Sequence, residues 1–205
     1  MSPANQNPAA VEQTAAVHAA HGLSVDTANA DYILSDDEFF TDISFDTVAC
    51  AEFVESPVDL AIIHSLPNLG FGNEFITAPD KGAAFRDKHP DRVLLYGTID
   101  TANTDDAIRE LERQVTELHI DGLKLYPAFF YDGIGEGWRL DSHNFAIPLL
   151  EAALDLGIKH VAIHKALHLP PAPAAAFAID DMDSPIGRFP EIQFEMVHGG
   201  AAFLE

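Results

Sequence analysis

Gly157-Ile158-Lys159-His160-Val161-Ala162-Ile163-His164-Lys165 is a short apolar run, strand-like in length and β-branched content, that ends on a histidine. Ile192-Gln193-Phe194-Glu195-Met196-Val197-His198-Gly199-Gly200 repeats the arrangement near the end of the chain. Two strands that each deliver a histidine at the carboxyl end point to a metal or acid–base site at one rim of a parallel sheet. The remaining sequence has to supply the other strands and the layers that cover them.

Upstream, residues 58–66, 92–99 and 119–126 are further apolar strand candidates, each closed by a proline or a polar turn. Residues 11–17 form a possible first strand, ending at His18. Helical patterns fall between most of them: 47–55, stopped by Ser56-Pro57; 80–88, stopped before Pro90; and a run from Thr104 in which Ile108, Leu111, Val115 and Leu118 recur at helical spacing. Thr104 is read as the N-cap, with Asp105 and Asp106 in the first turn where acids suit the helix dipole. Phe145, Leu149, Ala153 and Leu156 mark another helix, ended by Gly157. Residues 19–43, 128–140 and 169–176 read as loops, and the acidic segment around Asp180-Asp181-Met182-Asp183 as holding one helical turn. Near-continuous apolar strands at this spacing, with helices between, predict a parallel α/β fold whose sheet is buried on both faces. The pattern alone does not separate a barrel from an open sheet.

Length and composition set the outer bounds. A chain of 205 residues that is 47% hydrophobic can bury a substantial core in one domain. Residues 1–10 read as a polar, flexible leader and 11–205 as the folded domain. No apolar run approaches the length of a membrane span, and the start lacks the basic and apolar regions of a signal peptide. The single cysteine, Cys50, excludes an internal disulfide and a multi-cysteine zinc cluster, so a reducing cytoplasmic setting is expected. With 33 acidic and 11 basic residues, net charge −22, the chain repels nucleic acid and anionic lipid, and neither is an expected partner. Acids spread this evenly are also what a protein adapted to high salt carries.

In parallel α/β folds the chemistry sits at the carboxyl ends of strands and in the loops after them. Those ends hold His18, His64, Lys124 with Tyr126, His164 and His198. Several histidines on one rim outweigh any one alone, because neutral imidazole is both a common metal ligand and a common acid–base group. Lys124 alternates with Leu123 and Leu125, so it points away from the helices. It either pairs with Asp100 or Asp121, binds a substrate carboxylate, or ligates a metal after carbamylation. The glycine-rich stretch from Tyr131 to Arg139 does not open into a helix from a tight turn and is a weak nucleotide-binding signal. It is read as a rim loop that offers Trp138 and Arg139 to a substrate.

Taken together, the runs Glu55 to His64, His89 to Gly97, Gly122 to Pro127, Ile163 to Ala166 and Val197 to Gly200 resemble the amidohydrolase-related proteins. That family comprises metal-dependent TIM-barrel hydrolases and decarboxylases and includes aminocarboxymuconate-semialdehyde decarboxylase. The resemblance implies a parallel (β/α)8 barrel, of which this chain offers about six βα units and stops at Glu205, before strands seven and eight. The family's first strand carries H-x-H. Here Val17-His18-Ala19-Ala20-His21 keeps His18 as the implied ligand and has Ala20 at the second place. His164 matches the metal-ligating histidine of strand five, and His198 the ligand or acid–base histidine of strand six.

The implied function is a divalent-metal hydrolase, with Zn²⁺ or a similar ion on His18 and His164 and a metal-activated water attacking a small carboxylate- or amide-bearing substrate. His198 and Lys124 are the catalytic candidates, with Tyr126, Trp138 and Arg139 positioning the substrate. Non-oxidative decarboxylation by the same family is the alternative. A non-catalytic incomplete barrel, pairing with a second copy or a complementing chain through its open sheet edge, is the rival from another class.

Overall fold

The computed structural model describes residues 15, 18–19, 33, 35–39, 43–67, 77–101, 104–129, 135–166, 168 and 172–199. The chain divides into two compact units, Met1–Val58 with Phe71–Asn73, and Asp59–Gly70 with Glu74–Glu205. The expected leader lies outside the described residues.

The N-terminal unit contributes two helices, α1 (Asp36–Phe39) and α2 (Phe45–Phe53). Ser35 and Glu38 cap α1 reciprocally: the Ser35 N–H donates to Glu38 Oε2 at 2.9 Å, and the Glu38 N–H donates to Ser35 Oγ at 3.4 Å. In α2 the Ser44 hydroxyl accepts the Thr47 N–H, which starts the helix two residues earlier than its apolar pattern implies. None of its residues is buried, and Val54 is 77% exposed, so the inward face read from Val48, Ala51, Phe53 and Val54 is not a core face within this unit. Of residues 11–17 only Ala15 is described. It, His18 and Ala19 are helical, so His18 does not end a strand. The alanine-rich sequence there favours helix over sheet.

The second unit runs β1 (Ala61–His64), α3 (Pro79–Lys88), β2 (Val93–Thr98), α4 (Thr104–Glu117), β3 (Gly122–Leu125), β4 (Ala128–Phe129), β5 (Glu136–Gly137), α5 (Ala146–Asp155), β6 (His160–His164), α6 (Ala174–Phe177), α7 (Asp183–Arg188) and β7 (Gln193–Val197). Five strands form one all-parallel sheet in the order β1-β2-β3-β6-β7, and β4 and β5 form a separate antiparallel pair. All five strands of the sheet match runs anticipated from the sequence. The regions read as continuous loop do not hold: 128–140 contains the β4–β5 ladder, 174–176 belong to α6, and 19–43 contains α1. Gly137 explains the first, since a Cβ there would meet Ala176 Cβ at 2.6 Å and Pro127 O at 2.9 Å. Only glycine lets that hairpin seat so closely.

One face of the sheet is the core. Leu95, Leu123, Leu125, Val161 and Ile163 are buried with Leu111 of α4 and Leu149, Leu150 and Ala153 of α5, and Ile63 and Phe194 pack against them. Gln114 sits fully buried inside the apolar stripe of α4, where its amide accepts the Thr98 N–H at 3.0 Å and donates to Thr98 O at 2.6 Å. Gly97 leaves room for it, because a Cβ there would lie 2.2 Å from Gln114 Oε1. Helix α4 begins at Thr104 itself, one position earlier than a capping role would place it. Gly157, with φ +87, ends α5 as read.

The opposite face carries the alternate residues: Ile62, His64, Tyr96, Lys124, Ala162, His164 and Glu195 follow from the parallel register. The Tyr96 hydroxyl on β2 donates to Glu195 Oε1 on β7 at 2.6 Å, over β3 and β6. In a flat sheet those backbones would stand about 14 Å apart with parallel side chains. The sheet is therefore curled with this face concave, a half-barrel.

Candidate functional site

His164 is the last residue of β6, and His198 directly follows β7. Their rings lie 4.5 Å apart, centroid to centroid, inclined at 59°. Two local features set this arrangement. The Lys165 N–H donates to Val197 O at 3.1 Å, which ties the two strand ends together. His198 takes φ +67, a left-handed conformation that costs a β-carbon-bearing residue about 1 kcal/mol. His164 is buried, with Tyr126 at 4.7 Å and the edge of Phe177 at 5.4 Å, while His198 is exposed. One imidazole is thus enclosed and the other faces solvent, beside each other at the carboxyl rim.

Lys124 projects into the concave face and is only 3% exposed. Its ammonium donates to Leu125 O at 2.8 Å and stands 5.6 Å from the centre of the Tyr126 ring. Asp121 is not its partner, since that carboxylate accepts the Leu95 N–H at 2.8 Å. Among the described residues Lys124 makes no ion pair, and burial pushes its pKa down from 10.5 to about 7. Burial also raises Tyr126, to about 12.

His64, at the end of β1, stacks on Tyr96 with ring centres 5.3 Å apart. Its pKa is lowered, first by burial and then by the charge of Lys124; His198 pushes the same way and Glu195 opposes them. His64 therefore belongs to the same electrostatic group as Lys124 and His198. The sequence showed it as a strand-end histidine but gave it no role. Glu195, which binds the Tyr96 hydroxyl beneath His64, carried no signal at all, because nothing in a single strand reports what lies across a curled sheet.

Two other candidates are engaged elsewhere. Trp138 packs edge-on against Phe145 at 5.0 Å beside the core. Arg139 is held by Asp141 and Asp180, each through both carboxylate oxygens, at 3.1–3.3 Å. His18 belongs to the N-terminal unit.

A zinc-type site uses three or four donors. Among the described residues no group of three His, Cys, Asp or Glu is placed to hold a metal ion. His164 and His198 fit one side of such a site, as adjacent imidazoles at the rim, and do not complete it.

The sequence model of the family described as Amidohydrolase matches residues 12–204. Among solved structures, an uncharacterised TIM-barrel protein from Bordetella bronchiseptica is similar, with TM-score 0.57, 18% identity, and coverage of 74% of this chain and 50% of that one. A protein described as amidohydrolase II gives TM-score 0.59 at 15% identity, covering 80% and 58%. The 5-carboxyvanillate decarboxylase of Novosphingobium aromaticivorans, complexed with manganese and 4-hydroxy-3-methoxy-5-nitrobenzoic acid, gives TM-score 0.51 at 18% identity, covering 82% and 51%. The chain spans about half the length of these structures. The comparison with curated proteins returned no match. Among the described residues no helix is long and apolar enough to cross a membrane.

Proposed function

Because the chain belongs to the amidohydrolase family, we propose that the His164–His198 rim takes part in metal-assisted, non-oxidative decarboxylation of a small aromatic or unsaturated carboxylic acid. The observation that carries this reading is the enclosed–exposed imidazole pair beside a buried Lys124 that makes no ion pair among the described residues. Support for a lyase over a hydrolase comes from the similar fold of the manganese-bound 5-carboxyvanillate decarboxylase.

The residues divide the work by position. His164 would hold a divalent metal together with donors beyond those placed here, and a metal so held would polarise the substrate's oxygen atoms. Lys124, with a pKa near 7, binds the carboxylate as an ammonium and is neutral in a substantial fraction of molecules at the same pH. The Tyr126 ring, next to both His164 and Lys124, forms an aromatic wall for the substrate. In the reaction the C–C bond to the carboxylate breaks, CO₂ leaves, and the electron pair stays on carbon. His198, on the exposed side, donates the proton that takes the carboxylate's place.

Hydrolysis is the second reading, favoured by the family to which the chain belongs. There His198 would take a proton from the attacking water instead of giving one to carbon. Assaying the protein, loaded with Mn²⁺ or Zn²⁺, for CO₂ release from hydroxybenzoates carboxylated at different positions, and in parallel for hydrolysis of amides and lactones, separates the two. CO₂ release that falls at least about a hundredfold in His198→Ala is the expected result. Hydrolysis without CO₂ release would replace the reading by the second, and neither activity would sink both.

A further inference from the structure

Lys165 follows His164 directly and is completely buried, as is Asp181. The Lys165 ammonium donates to Asp181 Oδ2 at 2.6 Å and to Ala176 O at 2.8 Å. The same Asp181 oxygen accepts the Leu140 N–H at 2.7 Å. These contacts join three segments to the end of β6. Ala176 lies in α6, whose Phe177 presses its edge on His164, and the Ala166 N–H donates to Phe177 O at 2.8 Å. Leu140 ends the stretch after β5, and Arg139 beside it grips Asp180. The main chain of Lys165 meanwhile holds Val197, the residue before His198.

Stability does not account for this pair. Desolvating two charges costs about as much as their attraction returns, and apolar residues of similar size often do as well or better. Asp181 Oδ1 is moreover buried and has no hydrogen-bond partner among the described residues, an added cost. What the pair supplies is geometry: two fixed directions from a point one residue beyond His164. Two apolar side chains would fill the same space without fixing either.

We infer that Lys165 and Asp181 are positioning residues, which seat the His164 ring against His198 and Phe177 by pinning α6 and the 139–141 segment to the end of β6. This rests on the reading of His164 and His198 as the working pair. Its test reads ring geometry in the absence of metal and substrate, so it can fail while that reading stands, and the reverse.

The variant is K165M/D181L, which removes both charges at once; K165M alone would strand a buried carboxylate. In protein labelled at histidine and phenylalanine, ring-to-ring nuclear Overhauser contacts are measured for His164–His198 and His164–Phe177. The His64–Tyr96 stack serves as an internal control, with the melting temperature recorded alongside. The expected result is a double variant that melts within a few degrees of the parent, keeps the His64–Tyr96 contact, and loses at least two thirds of the intensity of both His164 contacts. Unchanged His164 contacts in a folded double variant would overturn the inference. A double variant that does not fold would overturn it too, since the pair would then be a requirement of folding.

Discussion

Tyr96 and Glu195, 99 residues apart in sequence, are joined by a 2.6 Å hydrogen bond over two intervening strands. That bond reports the curl of the sheet, and the curl draws together His64, Lys124 and His164 of the concave face, with His198 at its rim beside His164. Burial and then the Glu195 bond raise the Tyr96 phenol well above its usual range, and burial raises Tyr126. A spectrophotometric titration should therefore find two of the four tyrosines resisting ionisation at about pH 11 while the protein stays folded. Ionisation of all four near pH 10 would mean that the concave face is open to water. Tyr96→Phe should cost about 1 kcal/mol in denaturant unfolding, the net worth of one hydrogen bond.

Lys124 gives a pH dependence whose sign follows from its environment. Its pKa is near 10.5 when unfolded and about 7 when folded, because burial disfavours the charge. Between those values the unfolded chain binds the extra proton, so stability rises with pH across that window. At ~1.4 kcal/mol per unit the rise is at most about 5 kcal/mol. Lys165 is shifted in the same direction by burial, so the measurement is the difference between parent and Lys124→Met. Unfolding free energies from pH 7 to 10 should converge toward high pH, with the variant the more stable at pH 7. Parallel curves would remove Lys124 from the interior.

His198 carries backbone strain at φ +67. His198→Gly should then be more stable than His198→Ala by about 1 kcal/mol, since both remove the ring and only glycine removes the strain. Equal melting temperatures would show that the turn is not held in that conformation. Both variants should lose the ring contact with His164.

Much of this was legible in the sequence, for identifiable reasons. Strands β2, β3 and β6 are buried along most of their length, β1 and β7 pack Ile63 and Phe194 against the core, and all five carry their apolar signal locally. So does α4, where Ile108, Leu111, Val115 and Leu118 hold helical spacing even though Gln114 interrupts the stripe. The rim histidines His164 and His198 were visible because each closes its apolar run. What the sequence hid depends on contacts across the fold. Glu195 reads as a polar residue in an edge strand until the sheet curls it toward Tyr96. Arg139 reads as a substrate contact, and nothing local reports that Asp141 and Asp180 both bind it. Lys165 drew no reading from the sequence and is fully buried, because its partner Asp181 stands 16 residues further on, in a segment read only as an acidic helical turn. Trp138 followed a glycine-rich run that suggested a rim loop, whereas Gly137 just before it lies close against Ala176 of α6.

The most direct test of the central claim, that His164 and His198 form one side of a metal-assisted site, is metal analysis of the purified protein after equilibration with Mn²⁺ or Zn²⁺, beside His164→Ala. The account predicts about one metal ion per chain in the parent, with affinity reduced at least about a hundredfold in the variant and the melting of its metal-free form little changed. A parent that holds no stoichiometric metal, or a His164→Ala variant that holds it as tightly as the parent, would contradict it.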